Sequence, residues 1–419
     1  MTLPPNWQEK PLSDVVTFNP RHDRALSDDL DVSFVPMAMV SERSRRLLPH
    51  DLRKLGEVRR GYTHFRDGDV LFAKITPCME NGKAAVASGL TNGLGCGTTE
   101  LHVLRPSVSL LPEWLYYYVW QEKFRKDSER NMTGSAGQLR VPLSFLENRS
   151  IPVPDSTDEQ RHIVAKLDHI ATHLEDTRAR LDSVAAILKR FRMSVAAAAC
   201  SGRLTADWRR KNKIEKAWEW LAASEVCEKV QSGSTPDKGK FCGSVGVPFL
   251  KVYNIVDQKL NFNYKPQYVT RDAHERRLKR STTFPGDVLM NIVGPPLGKV
   301  AVVPNDFPEW NINQAITLFR PGPGIDRMFL YYVLYSGLPI ADTLQETRGS
   351  AGQANISLSQ CRALLLPTPS LAEQHEVVHR IQAMFRQADD IEARYKKAKA
   401  FSAKLMPSVL AKAFRGELL

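Results

Sequence analysis

The sequence predicts an α/β (α+β) chain: two globular parts with twisted, mainly β cores, separated by two long helices that pair within the chain. Three observations carry this reading. An apolar stripe with alternating spacings of four and three runs from about Asp158 to Ala199 and returns from about Ala372 to Ala413, displaced by 214 residues. The stripes match a helical heptad pattern. Landmarks outside the helices recur at offsets of 214 to 218 from Gly68 onward, which is an internal repeat. Each copy also holds short β-branched runs between clusters of Gly, Pro and Asn, the pattern of strands and turns.

In order, the chain divides into a first globule (1–155), a first helix (156–202), a linker (203–218), a second globule (219–370), and a second helix with its tail (371–419). Strands are expected at Val32 to Met37, Asp69 to Ile75, Ala84 to Ala87 and Glu100 to Leu104. Their counterparts are Val247 to Val252, Asp287 to Val293, Val300 to Val303 and Ala315 to Phe319. A short helix follows at Glu113 to Lys126, and at Arg327 to Ser336.

The first stripe is Ile163, Leu167, Ile170, Leu174, Thr177, Leu181, Val184, Leu188, Phe191 and Val195. The second is Val377, Ile381, Met384, Ala388, Ile391, Tyr395, Ala398, Ser402, Leu405 and Val409. Such a helix spans about 60 Å at about 1.5 Å per residue, and its stripe needs cover. A coiled coil of the two copies supplies it economically; the alternative is that each helix lies on its own globule. Ser156 with Glu159, and Ser370 with Glu373, fit a capping box at each helix start. Gly202 and Gly416 stand where left-handed caps end helices. Pro407 falls inside the second helix, where a proline can kink or break it.

With 42% apolar residues the chain can bury real cores, and 58 basic against 46 acidic residues give a net charge of +12. A basic protein of this kind often meets a polyanion, nucleic acid above all. The six cysteines are scattered without a Cys-x-x-Cys, which suits free thiols in a reducing compartment. Met1 to Trp7 has no apolar signal core, and no run is long enough to span a bilayer. A cytoplasmic location is expected.

Catalytic motifs are not found. Gly294 to Lys299 has three residues between its glycines where a phosphate loop has four, and Val300 stands where a Ser or Thr would bind magnesium. His169 with His173, and His375 with His379, share a helical face but lack the acidic partner of a zinc motif. They read as solvated positions, and no metal site is assigned. Asp69 and Asp287 recur in Gly-Asp-Val-Leu turns, which a strand entry explains better than a nuclease site.

What remains is a set of binding candidates. Arg43, Arg45, Arg46, Arg53, Lys54, Arg59 and Arg60 form a basic stretch read as a loop. Arg271, Arg276, Arg277, Lys279 and Arg280 occupy the corresponding span of the second copy. Phosphate contact is the sharper reading; a solvated charged loop is the plainer one. Gly134-Ser135-Ala136-Gly137-Gln138 returns unchanged as Gly349-Ser350-Ala351-Gly352-Gln353, followed by Arg140 and Asn355. Glycines let backbone amides approach a phosphate, while Ser and Gln can bond a phosphate or a base edge. A tight turn joining globule to helix explains the motif equally well. Lys74, Lys251, Asn291 and Gln314 are further polar candidates, and the aromatic runs Tyr116 to Tyr118 and Tyr331 to Tyr332 read as core.

Together these landmarks resemble the DNA-specificity subunit of type I restriction–modification systems. The matching segments are Gly68 to Leu71, Gly134 to Gln138, Ile151 to Pro154 and Glu159-Gln160, then Gly286 to Leu289, Gly349 to Gln353, Leu366 to Pro369 and Glu373-Gln374. The resemblance covers essentially the whole chain. It implies two target-recognition domains, antiparallel spacer helices, a pseudo-two-fold repeat, and a bipartite target read half by half. It also implies no catalysis in this chain: S-adenosylmethionine, ATP and magnesium belong to partners, two methyltransferase subunits and, through them, restriction subunits. A protein-only coiled-coil adaptor and a self-contained DNA methyltransferase are the competing readings.

Overall fold

The computed structural model describes residues 3–135, 137–243, 245–341 and 355–418. The chain divides into two compact units, Met1–Asp182 with Tyr395–Leu419, and Ser183–Arg394.

The strands of the first unit are β1 (Trp7–Pro11), β2 (Val16–Phe18), β3 (Asp31–Val35), β4 (Asp51–Lys54), β5 (Thr63–Arg66), β6 (Val70–Ala73), β7 (Ala84–Val86), β8 (Leu94–Gly97), β9 (Leu101–Pro106) and β10 (Ser150–Pro154). One antiparallel sheet has the order β2-β9-β6-β7 and a mixed sheet the order β4-β3-β8-β5. β1 pairs antiparallel with β10, with Trp7 opposite Pro154. β6 shows why its sequence is apolar throughout. Val70 and Phe72 join a core with Trp114, Leu115, Ile163 and Leu167, whereas Leu71 and Ala73 join a second core with Val35, Phe65 and Val103. Alternate side chains of a strand point to opposite faces, so a strand covered on both must be apolar at every position.

The second unit contains β11 (Glu219–Ala222), β12 (Cys227–Ser232), β13 (Phe241–Cys242), β14 (Val247–Leu250), β15 (Ile255–Val256), β16 (Lys259–Leu260), β17 (Tyr268–Val269), β18 (Val288–Asn291), β19 (Val300–Val302), β20 (Asn311–Ile312), β21 (Ile316–Pro321) and β22 (Leu365–Thr368). Its antiparallel sheet is β12-β21-β18-β19, its mixed sheet is β13-β17-β14-β20, and β11 pairs with β22. Val288 and Met290 face one core and Leu289 the other, as on β6.

Gly68 and Gly286 adopt φ of 88° and 92°, a conformation that costs little only for glycine. Each tight turn sets up the aspartate after it. Asp69 is 1% exposed, takes Arg105 by both carboxylate oxygens at 2.7 and 2.8 Å, and accepts the Arg66 amide. Asp287 holds Arg320 at 2.9 and 2.8 Å and accepts the Phe284 amide. The paired motifs Gly-Asp-Val-Leu and Leu/Phe-Arg-Pro are thus one ion pair tying two adjacent strands.

The long helices are Thr157–Cys200 and Leu371–Ala413, the second continuing through Pro407. Gly202 and Gly416 are left-handed, at φ 77° and 74°. In the first unit Lys166 donates to the Leu418 carbonyl, Arg178 to the Ser402 carbonyl and Lys399 to Asp182. In the second, Arg192 bonds Asp389 and Glu392, and Arg380 bonds the Leu204 carbonyl and Asp207. Within each unit the partner's number falls as the other rises, so the two helical segments lie side by side in opposite directions. Ile163, Leu167, Leu174, Leu188, Val377 and Ile381 are buried, and Ile170, Met384 and Leu405 pack against the cores.

Four expectations are corrected. The stripe is not dry throughout: Leu181 and Tyr395 are half-buried, Phe191 is 38% exposed and Ile391 50% exposed. Toward the helix ends the cover comes from the globular cores, while Leu188 and Ala388, in the middle of the helices, are buried outside those cores. The capping boxes form only by their serine half, Ser370 accepting the Glu373 amide at 3.3 Å and Ser156 the Asp158 amide at 3.1 Å, because the glutamates are taken by more distant donors. Glu159 accepts from the Asn6 and Trp7 side chains, and Glu373 accepts from the Thr205 hydroxyl. Gln160 and Gln374, both fully buried, instead clamp the loops before the short helices, each accepting one backbone amide and donating to a carbonyl. The helix expected at Glu113 to Lys126 is two, Pro112–Trp120 and Glu122–Arg130, broken at an extended Gln121. Part of the basic stretch read as a loop is strand β4 and the helical turn Leu55–Val58.

Two outcomes follow from this packing. Asp69→Ala leaves Arg105 and the Arg66 amide without their acceptor and should destabilise the first unit by about 3 kcal/mol, read as a lower denaturant midpoint. The second concerns three imidazoles that burial holds below their ordinary value, His22, His64 and His102. Unfolding raises their proton affinity, so the stability they contribute is full above about pH 6.5 and is lost as pH falls through the lowered folded values. The urea midpoint of the first unit should therefore drop on acidification below neutrality; a midpoint that stays flat would show these imidazoles to be free to protonate.

Candidate nucleic-acid interface

The structure sorts the basic residues of the first unit by what already holds them. Arg45 donates to Asp168 of the long helix at 2.6 Å, and Tyr117 donates to the same oxygen at 2.6 Å. Arg59 is clamped by Asp28 and by the carbonyls of Asp23 and Leu26. Lys54 pairs with Asp31 at 2.9 Å on the surface, where such pairs exchange readily with solvent. Arg43, Arg46 and Arg60 are exposed. Arg53 is half-buried, its guanidinium over the Phe34 ring.

The residues after β6 converge with the glycine turn. Arg140 holds Glu100 by both oxygens at 2.8 Å and donates to the Gln138 carbonyl. Arg140 in turn holds the Glu100 carboxyl below its usual range. Lys74 lies beside them: burial lowers its ammonium, Glu100 opposes that and Arg140 adds to it. The Gln138 amide donates to the Ser135 carbonyl at 3.0 Å, and Thr133 bridges to Arg140. The first of these closes a turn between Ser135 and Gln138, whose side chains are exposed.

In the second unit Arg276 pairs with Asp272 at 2.9 Å and Arg277 with Asp237 at 2.8 Å, all on the surface. Arg271 pairs with Glu309. Lys279 and Arg280 are exposed. Lys251 is half-buried, with Nζ 5.4 Å from the centre of the Phe241 ring. Gln314 is exposed and accepts from the Thr235 hydroxyl. Asn355 is exposed and bridges to Val293, while Ser350 and Gln353 lie outside the described residues. Asn291 is 1% exposed and braces the following loop, accepting from the Lys299 amide at 2.6 Å and donating to the Pro296 carbonyl at 2.9 Å. Its amide is spent on structure rather than offered to a ligand. Sequence reasoning missed the exposed Leu52 of β4 and Tyr62 beside Phe34, because a four-residue strand leaves too short an alternation to read.

The remaining groups are structural or solvated. Tyr116, Tyr117 and Tyr332 are buried. His169 and His173 stack edge to face on an exposed helix surface. All six cysteines are unpaired, and burial pushes Cys200 and Cys227 up to about 12, which leaves little thiolate for chemistry. Among the described residues no group of three or more His, Cys, Asp or Glu converges as for a metal, and no helix is long and apolar enough to cross a membrane.

Comparison with known proteins places this geometry. The family model "Type I restriction modification DNA specificity domain" matches residues 4–184 and 215–399. The EcoEI specificity subunit of Escherichia coli is 44% identical over 176 residues, covering 41% of this chain and 30% of that protein. The alignments with it and with the EcoAI subunit span only 30% and 28% of those relatives' lengths. The EcoBI subunit is 32% identical over 68% of this chain and 62% of its own length. Among solved structures, the HsdS subunit from Thermoanaerobacter tengcongensis superposes with a TM-score of 0.65 at 20% identity, covering 100% of this chain and 98% of that one. A chain from "Structural basis underlying complex assembly and conformational transition of the type I R-M system" gives 0.79 at 20% identity, with both chains fully covered.

The sorting of arginines predicts unequal effects on DNA binding. Arg46→Glu with Arg60→Glu should weaken binding to every duplex alike and flatten the salt dependence, by about 0.9 in log–log slope for each phosphate no longer neutralised. Equilibrium titrations at several salt concentrations measure both, and an unchanged slope would remove these two residues from the interface.

Proposed function

The chain belongs to the family of type I restriction–modification DNA-specificity proteins, and from that premise we propose that it is the non-catalytic, sequence-specific DNA-binding subunit of such a complex. Residues 1–155 and 219–370 act as two target-recognition domains, each reading one half of a bipartite, asymmetric target in double-stranded DNA. The spacer helices, 156–202 and 371–419, act as an antiparallel coiled coil that sets the gap between half-sites, with 203–218 as the link. Half-sites about 34 Å apart, one turn of duplex, suit two readers on a stiff spacer. The helices and adjoining faces dock two methyltransferase subunits, which bring S-adenosylmethionine, and through them restriction subunits that use ATP and magnesium. The assembly works in the cytoplasm.

One observation carries this reading. Each unit builds the same antiparallel sheet order, with the same aspartate–arginine pair, against segments of both long helices. The polar surfaces around these sheets differ from one unit to the other, as two readers of unlike half-sites require. Arg43, Arg46, Arg60, Lys279 and Arg280 are the phosphate contacts of this proposal; Ser135, Gln138, Gln314 and Asn355 are its candidate base or backbone contacts.

Mapping methylated adenines made by the reconstituted complex tests the reading. A two-part motif with unlike halves is expected. Inserting four residues, about one helical turn, at matched depth in both helices should change the gap and leave both half-sites intact. Half-sites that change with the insertion, or a continuous target, would refute the spacer role.

A further inference from the structure

Arg53 differs from its neighbours in how it is held. It lies on β4, an outer strand of the mixed sheet, opposite Val32. Its guanidinium carbon stands 3.8 Å from the centre of the Phe34 ring. Phe34 is itself fixed, 8% exposed and met edge-on by Tyr62 at 5.2 Å. Arg45, Arg59, Arg105 and Arg140 all spend their donors on carboxylates. Among the described residues the Arg53 guanidinium has neither a hydrogen-bond nor an ion-pair partner. A half-buried cation stacked on a ring, with its donors free, is ordered before any ligand arrives.

The second unit closes the same position. Val247 lies opposite Val269, the counterpart of Arg53, and Val269 is fully buried. An additional strand, β13, places Phe241 opposite Val269 and against Phe249 at 5.4 Å. Where the first unit lays a guanidinium on a phenylalanine, the second lays another phenylalanine.

Resting on the DNA-reading proposal above, we infer that Arg53 is a specificity-determining residue that reads a guanine in the half-site addressed by the first unit, and that the second unit has no counterpart. The O6 and N7 of guanine offer two acceptors in the major groove that match two donors of a guanidinium. A stack on Phe34 fixes the plane of the fork in advance, which lowers the ordering cost. Lysine offers only a point charge and cannot reproduce the two-point contact.

The test is selection of bound duplexes from a randomised library by the reconstituted complex, with Arg53→Ala, Arg53→Lys and Arg53→Met beside the unaltered chain. Arg53→Met keeps an aliphatic stem on Phe34, and thermal melting confirms that the variants fold. All three should lose discrimination at one G·C pair of one half-site, by about tenfold or more. The other half-site should be untouched, and Lys should not rescue. A uniform loss of affinity with a shallower salt slope would make Arg53 a phosphate contact and overturn the inference. So would an unchanged motif, or a loss in both half-sites. If the unaltered complex selects no bipartite sequence, the DNA-reading proposal itself fails, an outcome distinct from a variant that selects the parental motif.

Discussion

A helix of more than 40 residues with one apolar stripe has little stability of its own in water, because most helical stability in proteins comes from packing an apolar face. Everything else in this chain answers that constraint. In the first unit Ile163, Leu167 and Leu174 share a core with Met406, Leu410 and Phe414 and with the short helix residues Trp114 to Tyr117. In the second, Val195, Ala199 and Cys200 share a core with Val377, Ile381 and Phe329. Each globule thus completes its hydrophobic core with pieces of both helices. Neither helix is a separate rod to which a domain is attached. Among the apolar positions outside these cores, Leu188 and Ala388 are buried, whereas Ile187, Phe191 and Ile391 are exposed.

On that shared frame the two units differ where chemistry is on offer. The buried elements correspond closely: the aspartate–arginine pair, the helix-start glutamine clamping a loop, the strand covered on both faces. These positions are determined by burial, and a buried polar group must find a partner. The outer strands of the mixed sheets carry no such requirement. There β4 presents Arg53 and Leu52, while β17 is covered by β13. Two units with the same sheet order can therefore keep their packing and vary their edges independently.

Several features were legible because their cause is local. The periodicity of the stripe, the glycines at the helix ends and at the Gly-Asp turns, and the apolar strand runs each reflect a backbone or burial rule that acts over a few residues. The aromatic runs Tyr116 to Tyr118 and Tyr331 to Tyr332 were legible as core for the same reason. The capping boxes misled because the local rule had a stronger distant competitor: Glu159 is reached by Asn6 and Trp7, from more than 150 residues away in sequence.

The sequence by itself determined the recurring motifs, the length and number of the long helices, and the presence of two α/β globules, since periodicity and repeated motifs are properties of the linear chain. Which basic groups remain free for a ligand was decided only in three dimensions. Arg45 is neutralised by Asp168, 123 residues distant, and Arg140 by Glu100, 40 residues distant. Asn291 has its amide consumed by a loop closing over it, and Arg53 is ordered by a ring on the neighbouring strand. A charged side chain's availability depends on which carboxylate, carbonyl or ring the fold brings beside it, and no spacing rule along one chain encodes that proximity.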